Sequence, residues 1–238
     1  VTALYLDAPP DAALDVAISH ALLEGATAGV EALRVWTPPP AVSLGRLDLL
    51  STLSPAAIAA ARAQGLVPVR RLAGGRATTI GPGTVCLGWA HPSPDMSGIQ
   101  DRYEEMAAVM VEALERLGVP VRVGQLAGEW CPGAWSVIAG AGKIGGLAQR
   151  VVRGGAWAEA VIVVDDAGAL AASLDRVQRA LGVEWNPDTL TGLPGTSPDA
   201  VRDALVAGLG ARRELRLVRP LPEPLLRRAA ELRDEHAL

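Results

Sequence analysis

Three segments hold the residues that could do chemistry. The first is Arg70-Arg71-Leu72-Ala73-Gly74-Gly75-Arg76-Ala77. Adjacent glycines carry no Cβ, so their amides can approach a ligand closely, and successive amides can cradle an anion. Arg70, Arg71 and Arg76 would add forked donors suited to a phosphate or carboxylate. A solvated surface turn would use the same residues. A Walker loop is excluded, because no Gly-Lys-Ser/Thr follows.

The second segment is Gly142-Lys143-Ile144-Gly145-Gly146-Leu147-Ala148-Gln149-Arg150, and its lysine stands out. The chain has 22 basic residues and no Phe, and Lys143 is its single lysine. Such a bias points to a GC-rich coding background, in which a lysine needed only for its charge drifts to arginine. A surviving lysine marks a place for a compact point charge with three rotatable donors. Chance survival is the plain alternative. The third segment is Glu129-Trp130-Cys131-Pro132-Gly133. A thiol there could be a nucleophile if its surroundings favour the thiolate, though a free cysteine is more often a small buried hydrophobe. Cys86, inside an apolar run, reads as core. His20, His91 and His236 show no ligand spacing, and with two cysteines no zinc site or disulfide scaffold is expected. His236 lies near a terminus expected to fray.

The elements that must position these segments follow from periodicity. Leu4–Leu6 reads as a short strand and Asp11–Glu24 as a helix. Ala32–Trp36 and Ala41–Arg46 read as a strand pair around Thr37-Pro38-Pro39-Pro40. Ser54 caps a helix that has Pro55 in its first turn. Residues 66–71 are extended, 72–83 form a glycine-rich loop, and Thr84–Trp89 is a strand. Tyr103, Met106, Met110, Leu114 and Leu117 share one helical face. Ala134–Ala139, Ile144–Val152 and Ala156–Val164 follow as strands joined by glycine turns. Gly168–Leu181, a segment capped by Ser197, and Pro222–His236 are expected helices. The fold class is α+β, a mainly antiparallel sheet flanked by helices. Residues 1–185 are expected to form the main domain and 186–238 a helical C-terminal extension packed on it.

Composition narrows the function classes. The chain has 238 residues, 50% of them hydrophobic and 20% charged, with net charge −4. That composition excludes a disordered or collagenous chain and speaks against nucleic-acid binding, which needs a basic patch. No apolar run is long enough to span a membrane, no signal peptide is visible, and a cytoplasmic monomer is expected.

Taken together, the segments resemble the lipoate–protein ligase A and octanoyltransferase family, grouped with the biotin protein ligases. Leu33–Trp36 with Ala41–Arg46 is similar to the family's first strand pair. Val67–Ala77 is similar to its arginine-pair glycine loop, Gly142–Arg150 to its lysine strand, and Ala156–Val164 to the strand after that. The resemblance implies attachment of a lipoyl or octanoyl group to a lysine of a lipoyl-domain acceptor protein. In the ligases, lipoic or octanoic acid is first activated as an acyl-adenylate with ATP and Mg²⁺. Lys143 would then sit at the acyl carbonyl and phosphate. Arg70, Arg71, Gly74, Gly75, Arg76, Ala77, Gly145, Gly146 and Ala148 would line the ligand. The pattern also departs from the family. Ile80-Gly81 stands where many members carry His-Asp, Ser136 where many ligases carry an aspartate, and Ser19-His20 where Asp-Glu is common. The ligase reading is the first expectation. A cysteine-dependent octanoyltransferase, with Cys131 taking octanoyl from acyl carrier protein and needing no cofactor, is the second. A non-catalytic acyl- or biotin-binding module is the third.

Overall fold

The computed structural model describes residues 1–238. Along the chain run β1 (Thr2–Tyr5), α1 (Ala12–Thr27), β2 (Ala32–Trp36), β3 (Ala41–Leu44), α2 (Arg46–Leu49), α3 (Ser54–Arg62), β4 (Val67–Arg70), β5 (Thr78–Ile80) and β6 (Thr84–Ser93). Then come α4 (Ile99–Arg116), β7 (Val121–Gly124), β8 (Ser136–Ala139), β9 (Gly142–Val152), β10 (Gly154–Val163), α5 (Ala167–Ala180), α6 (Pro198–Gly210), β11 (Leu215–Val218) and α7 (Glu223–Leu232).

Eight strands form one sheet in the order β11-β1-β2-β6-β10-β9-β8-β7. Its pairings are antiparallel except those of β1, which runs parallel to both β11 and β2. Strand alternation sends Leu33 and Val35 of β2 to one face, against α4 and α6. Ala32 and Trp36 go to the other face, against α1 and α7. Along β10, Ala158, Ala160 and Ile162 face the first cluster and Trp157 the second. Glu159 alternates with its neighbours and so shares the face of Trp157 and α1. A second sheet, β4-β3-β5, packs with α3 and α5 over a third cluster that includes Trp130.

Several sequence expectations change. The segments around Thr37–Pro40 are both strands, but β2 joins the large sheet and β3 the small one. Three consecutive prolines offer no amide donors and fixed φ, so they carry the chain from one sheet to the next instead of closing a hairpin. The glycine loop contains β5, and Val121–Gly124 adds β7 at the sheet edge. Ser54 is the first residue of α3, without a side-chain capping bond, whereas Ser197 does cap α6, accepting from the Ala200 amide. The tail is not purely helical. It supplies β11, whose partners are residues 2–5, and Val201, Leu205 and Leu209 of α6 belong to the central cluster.

The end of the chain is also tied down. His236 is 3% exposed. Its Nδ1 lies 2.8 Å from the Arg70 carbonyl and its Nε2 3.0 Å from His20 Nδ1. His236 therefore braces β4, the strand that leads into the glycine loop, and the fraying expected of a terminus does not occur.

Candidate active site

The glycine loop, the Cys131 turn and β9 meet around a cavity of about 260 Å³. Of the residues expected to act together, Arg71, Gly74, Gly75, Cys131, Lys143, Gly146 and Ala148 line it. The other expected residues lie elsewhere. Arg70 is exposed on β4, outside the cavity lining. Ala77 belongs to the core under the small sheet. A Cβ at Gly145 would lie 2.2 Å from the Val161 carbonyl, so that glycine serves the packing of β9 on β10. The Arg76 side chain turns away from the cavity to Asp48, Nη1 to Oδ1 at 3.0 Å. Asp48 is buried, and its other oxygen accepts from the Gly45 amide at 3.0 Å. This pair anchors the far arm of the loop.

Cys131 sits in an unusual backbone conformation. Its φ is +42°, in the left-handed region that residues with a Cβ seldom adopt, at a cost of about 1–3 kcal/mol. The result is a thiol aimed at the glycine loop. Cys131 Sγ accepts from the Arg76 amide at 3.2 Å and lies 3.8 Å from Arg71 Nη1. Gly75, with φ +108°, passes so close that a Cβ there would fall 2.8 Å from the sulfur and 2.7 Å from Arg71 Nη1. Gly74 has no such restriction, since its nearest neighbour would be the Gln149 carbonyl at 3.7 Å.

Arg71 is itself fixed. It donates from Nη1 to the Arg76 carbonyl at 3.0 Å and from Nη2 to Glu159 Oε1 at 3.1 Å. Glu159 Oε2 accepts from the Trp157 indole at 2.9 Å. Burial works against the guanidinium's charge, but Cys131 and Glu159 beside it hold its pKa above the ordinary value. A buried cation and a backbone donor thus converge on one sulfur.

Lys143 lies beneath the cysteine turn and is 1% exposed. Its Nζ donates to the carbonyls of Trp130 at 2.7 Å and Cys131 at 2.8 Å. It also sits 3.8 Å from Glu129 Oε2 and 4.5 Å from the centre of the Trp130 ring. Burial draws its pKa down, opposed chiefly by Glu129. The Glu129 carboxylate in turn accepts from the Ser136 hydroxyl at 2.8 Å and the Gly133 amide at 3.1 Å. One buried carboxylate and one buried ammonium therefore hold the turn that presents Cys131.

The sequence reading missed Glu129, Asp48, Glu159 and the stacked pair Tyr103–Trp135, whose rings are 5.1 Å apart and which border the cavity. Glu159 left a signal, as the lone carboxylate in an otherwise apolar strand. Ile80 lines a smaller, mainly apolar pocket of about 50 Å³. That pocket shares Arg71, Thr78, Gly146 and Val161 with the main cavity and runs on toward Trp36 and Cys86. No group of three or more His, Cys, Asp or Glu side chains is placed to hold a metal ion, and no helix is long and apolar enough to cross a membrane.

Comparison with known proteins shows the family and the fold. The family model for the lipoyl protein ligase A/B catalytic domain matches residues 11–186. An octanoyl-[GcvH]:protein N-octanoyltransferase from Geobacillus kaustophilus is 32% identical over 177 residues, 74% of this chain and 62% of that protein. The chain thus spans about three fifths of that relative's length. Among solved structures, lipoate-protein ligase A bound with ATP superposes with TM-score 0.78 at 21% identity, covering 98% of this chain and 94% of the other. A bipartite lipoate protein ligase from Thermoplasma acidophilum gives 0.73 at 22% identity, with 98% and 92% covered. At such identities these structures establish the shared fold.

Proposed function

The chain belongs to the lipoyl protein ligase A/B catalytic family, and on that premise we propose that it is an acyltransferase. In this proposal Cys131 carries an octanoyl or lipoyl group to a lysine of a lipoyl-type acceptor domain. The observation that carries the proposal is the seat of the thiol: Sγ against the Arg76 amide and the Arg71 guanidinium, at the wall of the Lys143 cavity. The Geobacillus relative, named for transfer of octanoyl from one protein to another, supports the same reading.

The chemistry balances without a further reagent. Cys131 sulfur attacks the carbonyl carbon of the acyl donor, and a carbon–sulfur bond forms. The bond to the donor's leaving group breaks, and that group, a thiolate or an amine, takes up the proton given by the thiol. The acceptor lysine amine then attacks the Cys131 thioester. A carbon–nitrogen bond forms, the carbon–sulfur bond breaks, and the amine's proton returns to the sulfur. Both steps build negative charge on the carbonyl oxygen, which donors already in place around the cavity would stabilise. Lys143 and Glu129 act as positioning residues, holding the Trp130 and Cys131 carbonyls in the strained turn. The apolar chain would run from the main cavity toward the inner pocket at Trp36.

An adenylate route through the same cavity would require ATP and Mg²⁺, so one experiment separates the two. An acceptor lipoyl domain is weighed by intact mass spectrometry after incubation with octanoyl-acyl carrier protein, with octanoyl-GcvH, or with octanoate plus ATP and Mg²⁺. Mass gain is expected with a protein donor, together with an octanoyl adduct on this chain that Cys131→Ser abolishes. Lys143→Met should slow both steps. Mass gain only with octanoate and ATP, unaffected by Cys131→Ser, would refute the thioester route.

A further inference from the structure

Beside the cysteine cavity lies a second, wider groove of about 530 Å³, between α2, the glycine loop and the outer half of β9. Its lining contains Arg46, Arg70, Arg71 and Arg150 and no acidic residue, on a chain whose net charge is −4. Arg46, Arg70 and Arg150 come from three different elements, and all are exposed. Arg71 and Arg76 have carboxylate partners, but these three have none. Next to them, Leu47 and Leu50 are 63% and 69% exposed, among the most exposed large apolar residues of the chain. Arg71, Gly74 and Gln149 line both the groove and the cavity, so the groove opens onto the thiol's chamber.

We infer that this groove docks the acidic face of the acceptor domain, an inference that rests on the proposed acyl transfer. Unpaired guanidiniums are forked donors matched to carboxylates. A one-sign patch on a chain of opposite net charge steers an acidic partner to one face. Leu47 in α2 and Leu50 just after it provide the apolar contact that a polar rim surrounds at protein interfaces. A domain seated there holds its target lysine at the shared wall, within reach of Cys131.

The test uses the full chain and an apo lipoyl domain of net negative charge. Binding is measured by titration calorimetry and transfer by acceptor mass gain, for the wild type and for Arg46→Glu/Arg150→Glu. The variant is expected to weaken binding about tenfold or more, to raise KM for the domain, and to leave kcat and Tm unchanged. Wild-type affinity should fall as NaCl rises from about 50 to about 300 mM, and the variant's should fall much less. Equal affinities in wild type and variant, no binding by the wild type, or a loss of kcat at unchanged KM would each overturn the inference. A wild type that binds the domain in this salt-dependent, Arg46/Arg150-dependent way but transfers nothing would sink the proposed transfer and leave the docking groove standing.

Discussion

Gly74 and Gly75 are neighbours in sequence and opposites in structure, and substituting each by alanine probes the thiol seat directly. At Gly75, φ is +108° and an added Cβ would lie 2.8 Å from Cys131 Sγ and 2.7 Å from Arg71 Nη1. Ordinary contact for such a carbon begins near 3.4 Å, so the sulfur or the loop must move by about 0.6 Å. A side chain at that φ adds strain of about 1–3 kcal/mol, which lowers Tm by roughly 2–10 °C in a chain of this size. A displacement approaching 1 Å at the reacting atom costs on the order of 10²-fold in rate, so Gly75→Ala is expected to lose about 10- to 100-fold in acyl transfer. Gly74→Ala meets only a carbonyl at 3.7 Å and should stay within about twofold of wild type, with Tm within about 2 °C. Iodoacetamide alkylation supplies a second readout, because Cys86 is buried and Cys131 is not: Gly75→Ala should change the rate at Cys131 and Gly74→Ala should not. Equal effects of the two substitutions on transfer and alkylation would refute the idea that Gly75 shapes the sulfur's position.

The pinned tail makes two further predictions. Burial lowers the pKa of both His20 and His236, against the opposing pull of Glu235 on His20 and of the Arg70 carbonyl on His236. The unfolded chain therefore binds protons first as pH falls below about 6.5, and stability present above that pH is lost toward more acid values. Tm measured from pH 7.5 to 5 should fall more steeply in wild type than in His236→Gln, and parallel curves would show that the pair contributes nothing. Ending the chain at residue 185 removes β11 and the buried Val201, Leu205 and Leu209. At about 1.5–3 kcal/mol for each buried side chain, those three alone rival the 5–15 kcal/mol margin of an ordinary domain. The truncated chain should show no cooperative thermal unfolding, and a sharp transition near the wild-type Tm would mean that residues 1–185 fold alone.

Much of the fold was legible because α4 repeats a clear helical period and the strands β9 and β10 are apolar runs set off by glycine pairs. The parts that were not legible depend on partners distant in sequence. Leu215-Arg216-Leu217-Val218 is too short and too exposed to read as a strand until residues 2–5 are beside it. The proline run looks like a hairpin until two sheets need a connector. His236 looks like a loose end until His20 and the Arg70 carbonyl surround it. The site divides along the same line. Its segments were readable from residue type, but Arg70 and Arg71 are indistinguishable in sequence, and only Arg71 meets Glu159, 88 residues away.

Lys143 shows how far residue type alone can carry an inference. Composition argued that a lone lysine survives where arginine does not suit. The structure supplies a physical reason. Two carbonyls at 2.7 and 2.8 Å, a tryptophan ring and the Glu129 carboxylate enclose Nζ at 1% exposure. A tetrahedral ammonium can send separate N–H bonds to two successive carbonyls and turn its third toward Glu129. A planar guanidinium is wider, fixes its donors in one fork, and would have to displace the Trp130 ring or the cysteine turn. What composition could not show is the direction of the charge's action. It is spent largely on the carbonyls of the turn that holds Cys131 at φ +42°, so in the proposed transfer the lysine would act chiefly through the cysteine it presents.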